Sequence, residues 1–514
     1  MTFDMREAPQ ATRRDWVALA VLAFAVLLVA VDATVLDLAL PYISADLEPS
    51  STQLLWIIDV YSFVLAGLLV TMGTLGDRIG RRRLLLIGAA GFGLASLLAA
   101  WAGSPAILVA ARALQGVAGA TLMPATLGLI RAIFVDPRTR TVAIGVWGAM
   151  AGGGAAAGPL VGGWLLEHFW WGSVFLINIP VMAVLVVLGP WVIPESKDPN
   201  PGRFDLASAA LSMAAVVPLV YAVKEAVVHG LDPILAAVGA AGVVAGIVFV
   251  RRQRMLDDPM LDIALFRVPA FSTAVLTNLL SIFAMAGVLF FGSQYLQLVL
   301  GYGALHAGLL MLPGTVVNAA AALGAAWLVR RWSPGAVLST GLAVAGVGTA
   351  SLVALGVDTG PAAFVAGFVL AGAGVGVALT LTSDLVVGAV PAERAGSASA
   401  VSETAYELGV ALGVAVLGSV VMAVFRRGLA DATGTAGVEL GPDGTLGAVV
   451  AHAEALPDHL GAPLLDAARN AFVDGVHVAS IGTALILFVT AVLVARRLGG
   501  RHHVPAGDSS TTNE

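Results

Sequence analysis

The chain has 514 residues, 58% hydrophobic and 12% charged, with a formal net charge of −6 and a mean hydropathy of +0.92. Soluble domains carry roughly 25% charged residues, so this chain has too little polar surface for water and must take lipid as its main solvent. The negative balance leaves no electrostatic footprint for nucleic acid. The lack of cysteine excludes disulfides, thiolate metal sites and thiol nucleophiles.

The chain has only two lysines, and neither can serve a phosphate-binding loop. Such a loop needs Gly-Lys-Ser/Thr, whereas Lys197 follows Ser196 and Lys224 follows Val223. Any transport work must then be driven by an ion gradient or a partner. No metal and no cofactor is expected.

A membrane span needs about 20 mostly apolar residues. Fourteen segments qualify: 16–40, 54–74, 83–101, 106–130, 141–165, 172–193, 206–225, 233–251, 270–297, 305–328, 335–356, 361–384, 397–425 and 474–495. The first is too long for a signal-peptide core and carries Asp32 and Asp37, so it is expected to remain as a span. Basic residues in short connections mark the cytoplasmic side. With the N-terminus inside, the clusters at Arg13–Arg14, Arg78–Arg83, Arg131–Arg140, Lys197–Arg203, Arg251–Arg267, Arg330–Arg331, Arg394 and Arg496–Arg501 all fall inside. Lys224 is the main exception. A miscounted helix would break this alternation, so both termini are expected in the cytoplasm.

In chain order, the first candidate is Asp32, about 24 Å into its helix at 1.5 Å per residue, in the outer half. Trp56, Asp59 and Tyr61 follow near the outer end of the second helix. The next connection reads Gly73-Thr-Leu-Gly-Asp77-Arg78-Ile-Gly80-Arg81-Arg-Arg. Gly73 and Gly80 permit close approach and a tight turn. Asp77 can accept from the free N–H groups of a helix start, and Arg78 and Arg81 can pair with acids on a neighbouring helix. A positive-inside anchor explains the arginines but not Asp77 between glycines.

Arg112 stands in the outer half of helix four, to bond carbonyls, snorkel or act on a proton. On helix five, Gly154, Gly158 and Gly162 recur every four residues, a small face on which helix backbones can touch in lipid, and Pro159 favours a kink. Phe283, Met285, Phe290 and Phe291 offer apolar wall on helix nine, and Asn318 lies in helix ten. Helix thirteen carries Glu403 and Glu407, four apart on one face with Tyr406 beside them. After it, 426–473 reads as a polar, Gly-rich outer loop with a short amphipathic helix near 445–456, either solvated or a lid.

A mid-bilayer charge costs roughly 2.5–3.5 kcal/mol on insertion scales, so the stacked acids argue for function. A carboxyl in an apolar cavity near a second carboxyl holds its proton more readily than one in water, and such a pair titrates together. Proton and cation can then compete for one negative site. Aromatic faces such as Trp56, Tyr61 and Tyr406 add about 0.5–2 kcal/mol each for a cation, although any one of them can equally be packing or lipid contact.

The glycine–aspartate–arginine connection resembles the major facilitator superfamily signature in this loop. Further motifs resemble its fourteen-helix drug:proton antiporters, closest to the quaternary ammonium and multidrug efflux subgroup. These are Val31-Asp-Ala-Thr-Val35 to Pro41, Leu54 to Ser62, Arg112-Ala-Leu-Gln-Gly116 with Gly119 to Pro124, Gly148 to Gly163, Trp171 to Pro180, and Ser402-Glu-Thr-Ala-Tyr-Glu-Leu-Gly409. The resemblance covers about residues 15–425.

It implies an all-α membrane fold of two six-helix bundles around a central cavity: an N-terminal segment 1–15, bundle 16–193, two added helices in 194–255, bundle 256–495 and a disordered tail 496–514. It implies proton-coupled efflux of lipophilic, often cationic, compounds across the inner membrane by a monomer. Asp32, Asp59, Arg112, Glu403 and Glu407 would couple protons. The acids, with Trp56, Phe283, Met285, Phe290, Asn318 and Tyr406, would bind substrate. The fifth-helix glycines would form a seal proper to exporters, which argues against uptake symport. Some dication exporters of the family carry an acid where this chain has Asn318, which points to monocations here. Export of a neutral or lipid-like product by the same fold, and a non-transporting scaffold or sensor, remain the rival readings.

Overall fold

The computed structural model describes residues 11–199, 205–229, 232–256, 259–433 and 446–498. Arg203, the glycines Gly434 to Gly444 and the tail from 499 lie outside them, as do the side chains of Asp37, Pro159 and Lys224. The described chain is helical, and its long apolar helices match the fourteen expected segments. They are α1 (Arg13–Leu47), α2 (Ser51–Ile79), α3 (Arg81–Ala100), α4 (Pro105–Ile133), α5 (Pro137–His168), α6 (Ser173–Val192), α7 (Leu206–His229) and α8 (Pro233–Met255). After them come α9 (Pro269–Val299), α10 (Ala304–Leu328), α11 (Pro334–Ala354), α12 (Ala362–Gly388), α13 (Ala392–Ala430) and α14 (Asp458–Leu498).

Helix starts follow a local rule. Ser104-Pro105, Asp136-Pro137, Asp232-Pro233 and Ser333-Pro334 each place a capping oxygen before a proline that has no N–H to lose. At Asp136 the bond from Thr139 N is 2.9 Å and at Asp232 the bond from Leu235 N is 2.6 Å. Thr12 with Asp15 and Ser50 with Gln53 close capping boxes on α1 and α2.

α1–α6 form one bundle and α9–α14 the other. α7 and α8 pack on each other, and α7 lies against α2. The glycine face of α5 is filled by α1: a Cβ at Gly154 would strike Leu27 O, one at Gly158 Thr34 Oγ1, and one at Gly162 Val35. The Thr34 hydroxyl donates to Ala155 O across that seam at 3.3 Å. α5 bends by 43° between Ala155 and Leu160, the stretch that holds Pro159.

The loop expected over 426–473 contains its expected short helix near 445–456 but is corrected at both ends, where the flanking helices run further than expected. Helix thirteen continues to Thr433, a short helix spans Leu446–Glu454, and α14 begins at Asp458. The physical reason is burial at helical spacing. Leu446, Val449 and Ala453 on the short helix, and Leu464, Ala468 and Phe472 on α14, join one apolar cluster with Tyr295 and Phe425. Arg469 donates to Leu298 O at 3.2 Å. At 41 residues α14 is about 60 Å long, about twice a hydrocarbon core, so its first turns stand beyond the membrane against the C-terminal bundle.

Candidate functional site

Two acid centres occupy the bundle interior. In the N-terminal bundle, α1, α3, α4 and α6 each contribute a polar residue to one dry cluster. Asp32 is fully buried, and its Oδ2 accepts from Arg112 Nη1 at 2.8 Å. Its Oδ1 accepts from Asn178 Nδ2 at 2.7 Å and from Gln115 Nε2 at 3.5 Å. Gln115 also takes Arg112 at 3.0 Å and, like Asn178, donates to Ser96 Oγ, at 2.9 and 3.1 Å. The Arg112 guanidinium lies 4.5 Å from the Tyr61 ring centroid and 6.0 Å from that of Phe175. A buried ion pair is tolerable when further hydrogen bonds satisfy both ions, and this cluster supplies them. Arg112 Nε, Asn178 Oδ1 and Tyr61 Oη are buried without a hydrogen-bond partner among the described residues.

Asp32 has no charged partner in its own helix and finds one across the bundle. Its partner sits 80 positions away on another helix. Gln115 and Asn178, present in the motifs but given no role, complete its shell; Ser96 had no signal beyond being polar in an apolar helix.

In the C-terminal bundle the second centre lies on α13. Glu403 is 5% exposed and makes no hydrogen bond or ion pair among the described residues. Glu407, one turn on and half-buried, lies within Coulombic range of Glu403 and of Tyr61. Tyr61 is likewise within range of Asp32 and Arg112, so it stands between the two centres. Asn278 of α9 holds α13 in register through the Ser402 carbonyl at 2.9 Å and hydroxyl at 3.1 Å.

The remaining candidates divide. Asp59 is half-buried. Trp56 is 43% exposed, edge-on to Phe63, and Tyr406 is 37% exposed. Phe283 is buried, with its backbone packed on Gly413, Phe290 borders Gly418, and Met285 packs against the C-terminal core. Phe291 is wholly buried and packs in the core. Asn318 is buried and donates to Gly372 O at 3.0 Å, and its Oδ1 faces Gly152 of α5.

Below these centres, at the arginine-rich face, the bundles are locked together. Asp77 accepts from the Gly396 and Ser397 N–H groups at the start of α13, at 2.9 and 2.8 Å. A carboxylate at a helix N-terminus is favoured by the free donors and the dipole. Arg81 is fully buried, pairs with Asp77 at 2.6 Å, and reaches Glu393 O at 2.7 Å and Ser196 Oγ at 2.8 Å. Gly73 meets Gly396 and Ala400 with no room for a Cβ. Gly80 has φ +110°, which favours glycine, and its neighbour Glu195 caps α3 through the N–H groups of Arg82 and Arg83. Arg78 is half-buried and makes no ion pair among the described residues, contrary to its expected pairing.

A second tie, absent from the sequence reading, joins Arg140 of α5 to Asp384 of α12. Asp384 also accepts from Thr141 Oγ1 at 2.7 Å, and Arg131 donates to Val387 O at 3.2 Å. In the sequence, Arg140 and Arg131 signal only which side of the membrane their connection lies on. Outside the membrane, hydrogen bonds from Arg252 and Ser208 hold the Asp205 carboxyl below its usual range, tying α7 to α8 at 2.9 Å.

The Major Facilitator Superfamily profile matches residues 22–414. The chain is 49% identical to the multidrug efflux pump LfrA of Mycolicibacterium smegmatis, over 95% of this chain and 97% of that protein. It is 36% identical to the methyl viologen resistance protein SmvA of Salmonella typhimurium, over 93% and 98%. It is 32% identical to the tetracenomycin C resistance and export protein of Streptomyces glaucescens, over 94% and 92%. Among solved structures, the human organic anion transporter MFSD10 aligns with a TM-score of 0.61 at 14% identity, over 93% of this chain and 99% of that one.

Proposed function

This chain belongs to the major facilitator superfamily, as a multi-pass membrane transporter rather than an enzyme, and we propose that it expels lipophilic, often cationic, small molecules from the cell in exchange for protons. The observation that carries the reading is Glu403: a carboxyl buried in the bundle, without a bonding partner among the described residues, one turn from Glu407. An acid kept there at a cost, with no structural bond to show for it, suits a site that proton and cation occupy in turn. The names of LfrA, an efflux pump, and of the tetracenomycin C resistance and export protein support export as the direction of transport.

With the arginine-rich face in the cytoplasm, the Asp77 and Arg140 ties would close the inner mouth in this conformation. Rocking of the bundles would break both ties and open the acids to the inner leaflet. Asp32 is enclosed here, so its place in the cycle runs through Arg112 and Tyr61 rather than through direct contact with cargo in this state. Asn318, spent on Gly372, offers no second anion, which favours monocations over dications. One proton exchanged for one monocation moves no net charge, so the pH term alone would drive it, at about 1.36 kcal/mol per unit.

The test is uptake of a fluorescent lipophilic monocation into inverted vesicles. Uptake should vanish when the pH gradient is dissipated and survive collapse of the membrane potential. Uptake that ignores the pH gradient would refute proton exchange, and transport confined to neutral compounds would refute the cation class.

A further inference from the structure

On the arginine-rich face, away from the acid centres, a half-open cavity of about 660 Å³ lies where α8 turns through a linker into α9. Three guanidiniums line it from three separate segments: Arg254 at the end of α8, Arg267 in the short turn Ile263–Arg267, and Arg394 at the start of α13. All three are exposed, and among the described residues none makes a hydrogen bond or ion pair. The lining acid Asp262 is engaged, its Oδ1 accepting from Ala264 N at 2.9 Å. The rest of the wall is largely apolar, with Leu256, Ile263 and Phe266. The floor is fixed: buried Gln253 donates to Ser208 Oγ at 2.6 Å and accepts from Leu261 N at 3.1 Å.

Three guanidiniums against the one lining carboxylate of Asp262 leave the cavity positive, which draws a further anion to it. Guanidinium forks match phosphate oxygens in pairs. An apolar wall beside a basic cleft at the ends of membrane helices suits a molecule that is anionic at one end and greasy at the other. We propose that this cavity binds the phosphate-bearing headgroup of an anionic phospholipid from the adjoining leaflet. Arg394 gives the site a consequence. It adjoins Glu393, whose carbonyl takes Arg81, and it lies two residues before Gly396, which donates to Asp77. A headgroup held by Arg394 braces the start of α13 and so favours the locked arrangement at this face.

The experiment uses the full chain in neutral phosphatidylcholine nanodiscs doped with phosphatidylglycerol, then released for native mass spectrometry. At about 1 kcal/mol per arginine, the protein should retain phosphatidylglycerol over phosphatidylcholine by at least about five-fold. R254Q/R267Q/R394Q should lose that preference. R330Q/R496Q/R497Q, which removes three arginines that do not line the cavity, should keep it. Equal behaviour of the two triple variants would overturn the site in favour of general surface attraction. Displacement of the retained lipid by inorganic phosphate alone would reassign it to a free anion. Because all three side chains are exposed, the variants should fold; thermal unfolding in neutral lipid checks that, and the single R267Q, expected to lose part of the preference, covers a triple variant that does not fold.

Discussion

Two buried acids in one molecule are treated in opposite ways. Asp32 is surrounded by donors from two other helices, Arg112 and Gln115 of α4 and Asn178 of α6, with Ser96 of α3 behind them. Glu403 is nearly as buried, yet among the described residues nothing bonds to it. The difference separates a charge that the fold needs from a charge that the fold merely carries. Removing the first should damage the structure, and removing the second should damage only the activity. The contrast also shows why burial alone is a poor guide to role.

The sharpest way to break this comparison is Asp32→Ala, which leaves Arg112 buried without its carboxylate. Loss of one partner of a buried pair costs about 3–5 kcal/mol, so thermal unfolding in detergent should show a large fall. Asp32→Asn with Arg112→Gln should recover most of that stability while uphill efflux stays lost. A stable Asp32→Ala protein would mean that the cluster is not structural.

Next in size is Gly158→Val, whose side chain would drive into Thr34 and the Val31 carbonyl. Overpacking costs typically about 1–3 kcal/mol, and the same melt should register it. Gly153→Ala, five residues earlier with open space around it, should be neutral.

Asp384→Asn probes the lock rather than the fold. It weakens bonds from Arg140 and Thr141, and charge-assisted bonds contribute about 1.5–3 kcal/mol. Since the chain has no native cysteine, a single cysteine at the buried Val387 should label several-fold faster in this background. Unchanged labelling would remove Asp384 from the locking account.

The smallest effect is expected at Asp205→Asn. The carboxyl's folded pKa is depressed by Arg252 and Ser208, so its contribution is complete above the unfolded carboxylate range, near about 3.9, and fades only as pH falls toward the lower folded value. The melting point should therefore drop slightly, and by the same amount at every pH from about 5 to 8. A penalty that grows with pH across that window would contradict the assignment.

Much of this was legible in the residues. Hydropathy and arginine alternation suffice for fourteen spans, because lipid enforces both. Gly154, Gly158 and Gly162 announced a helix contact, and Asp77 between glycines announced a helix start, since local geometry limits what such patterns can do. What stayed hidden depended on distant partners. Nothing near Asp32 in the chain names Arg112, and nothing near Arg140 names Asp384, because bundle packing alone brings them together. The outer segment was misread for another reason. Leu464, Ala468 and Phe472 do carry a helical period, but a search tuned to continuous apolar runs passes over an amphipathic extension that leans on one bundle.

The central claim, that Glu403 serves exchange and not architecture, rests on one paired measurement with Glu403→Gln: unfolding temperature in detergent, and pH-driven accumulation of a lipophilic cation in inverted vesicles. The account predicts a melting point equal to or above that of the parent, since no bond is lost and a buried ionisable group beside Glu407 is replaced by a neutral one, together with loss of accumulation. Full pH-driven accumulation by a well-folded Glu403→Gln protein would contradict it.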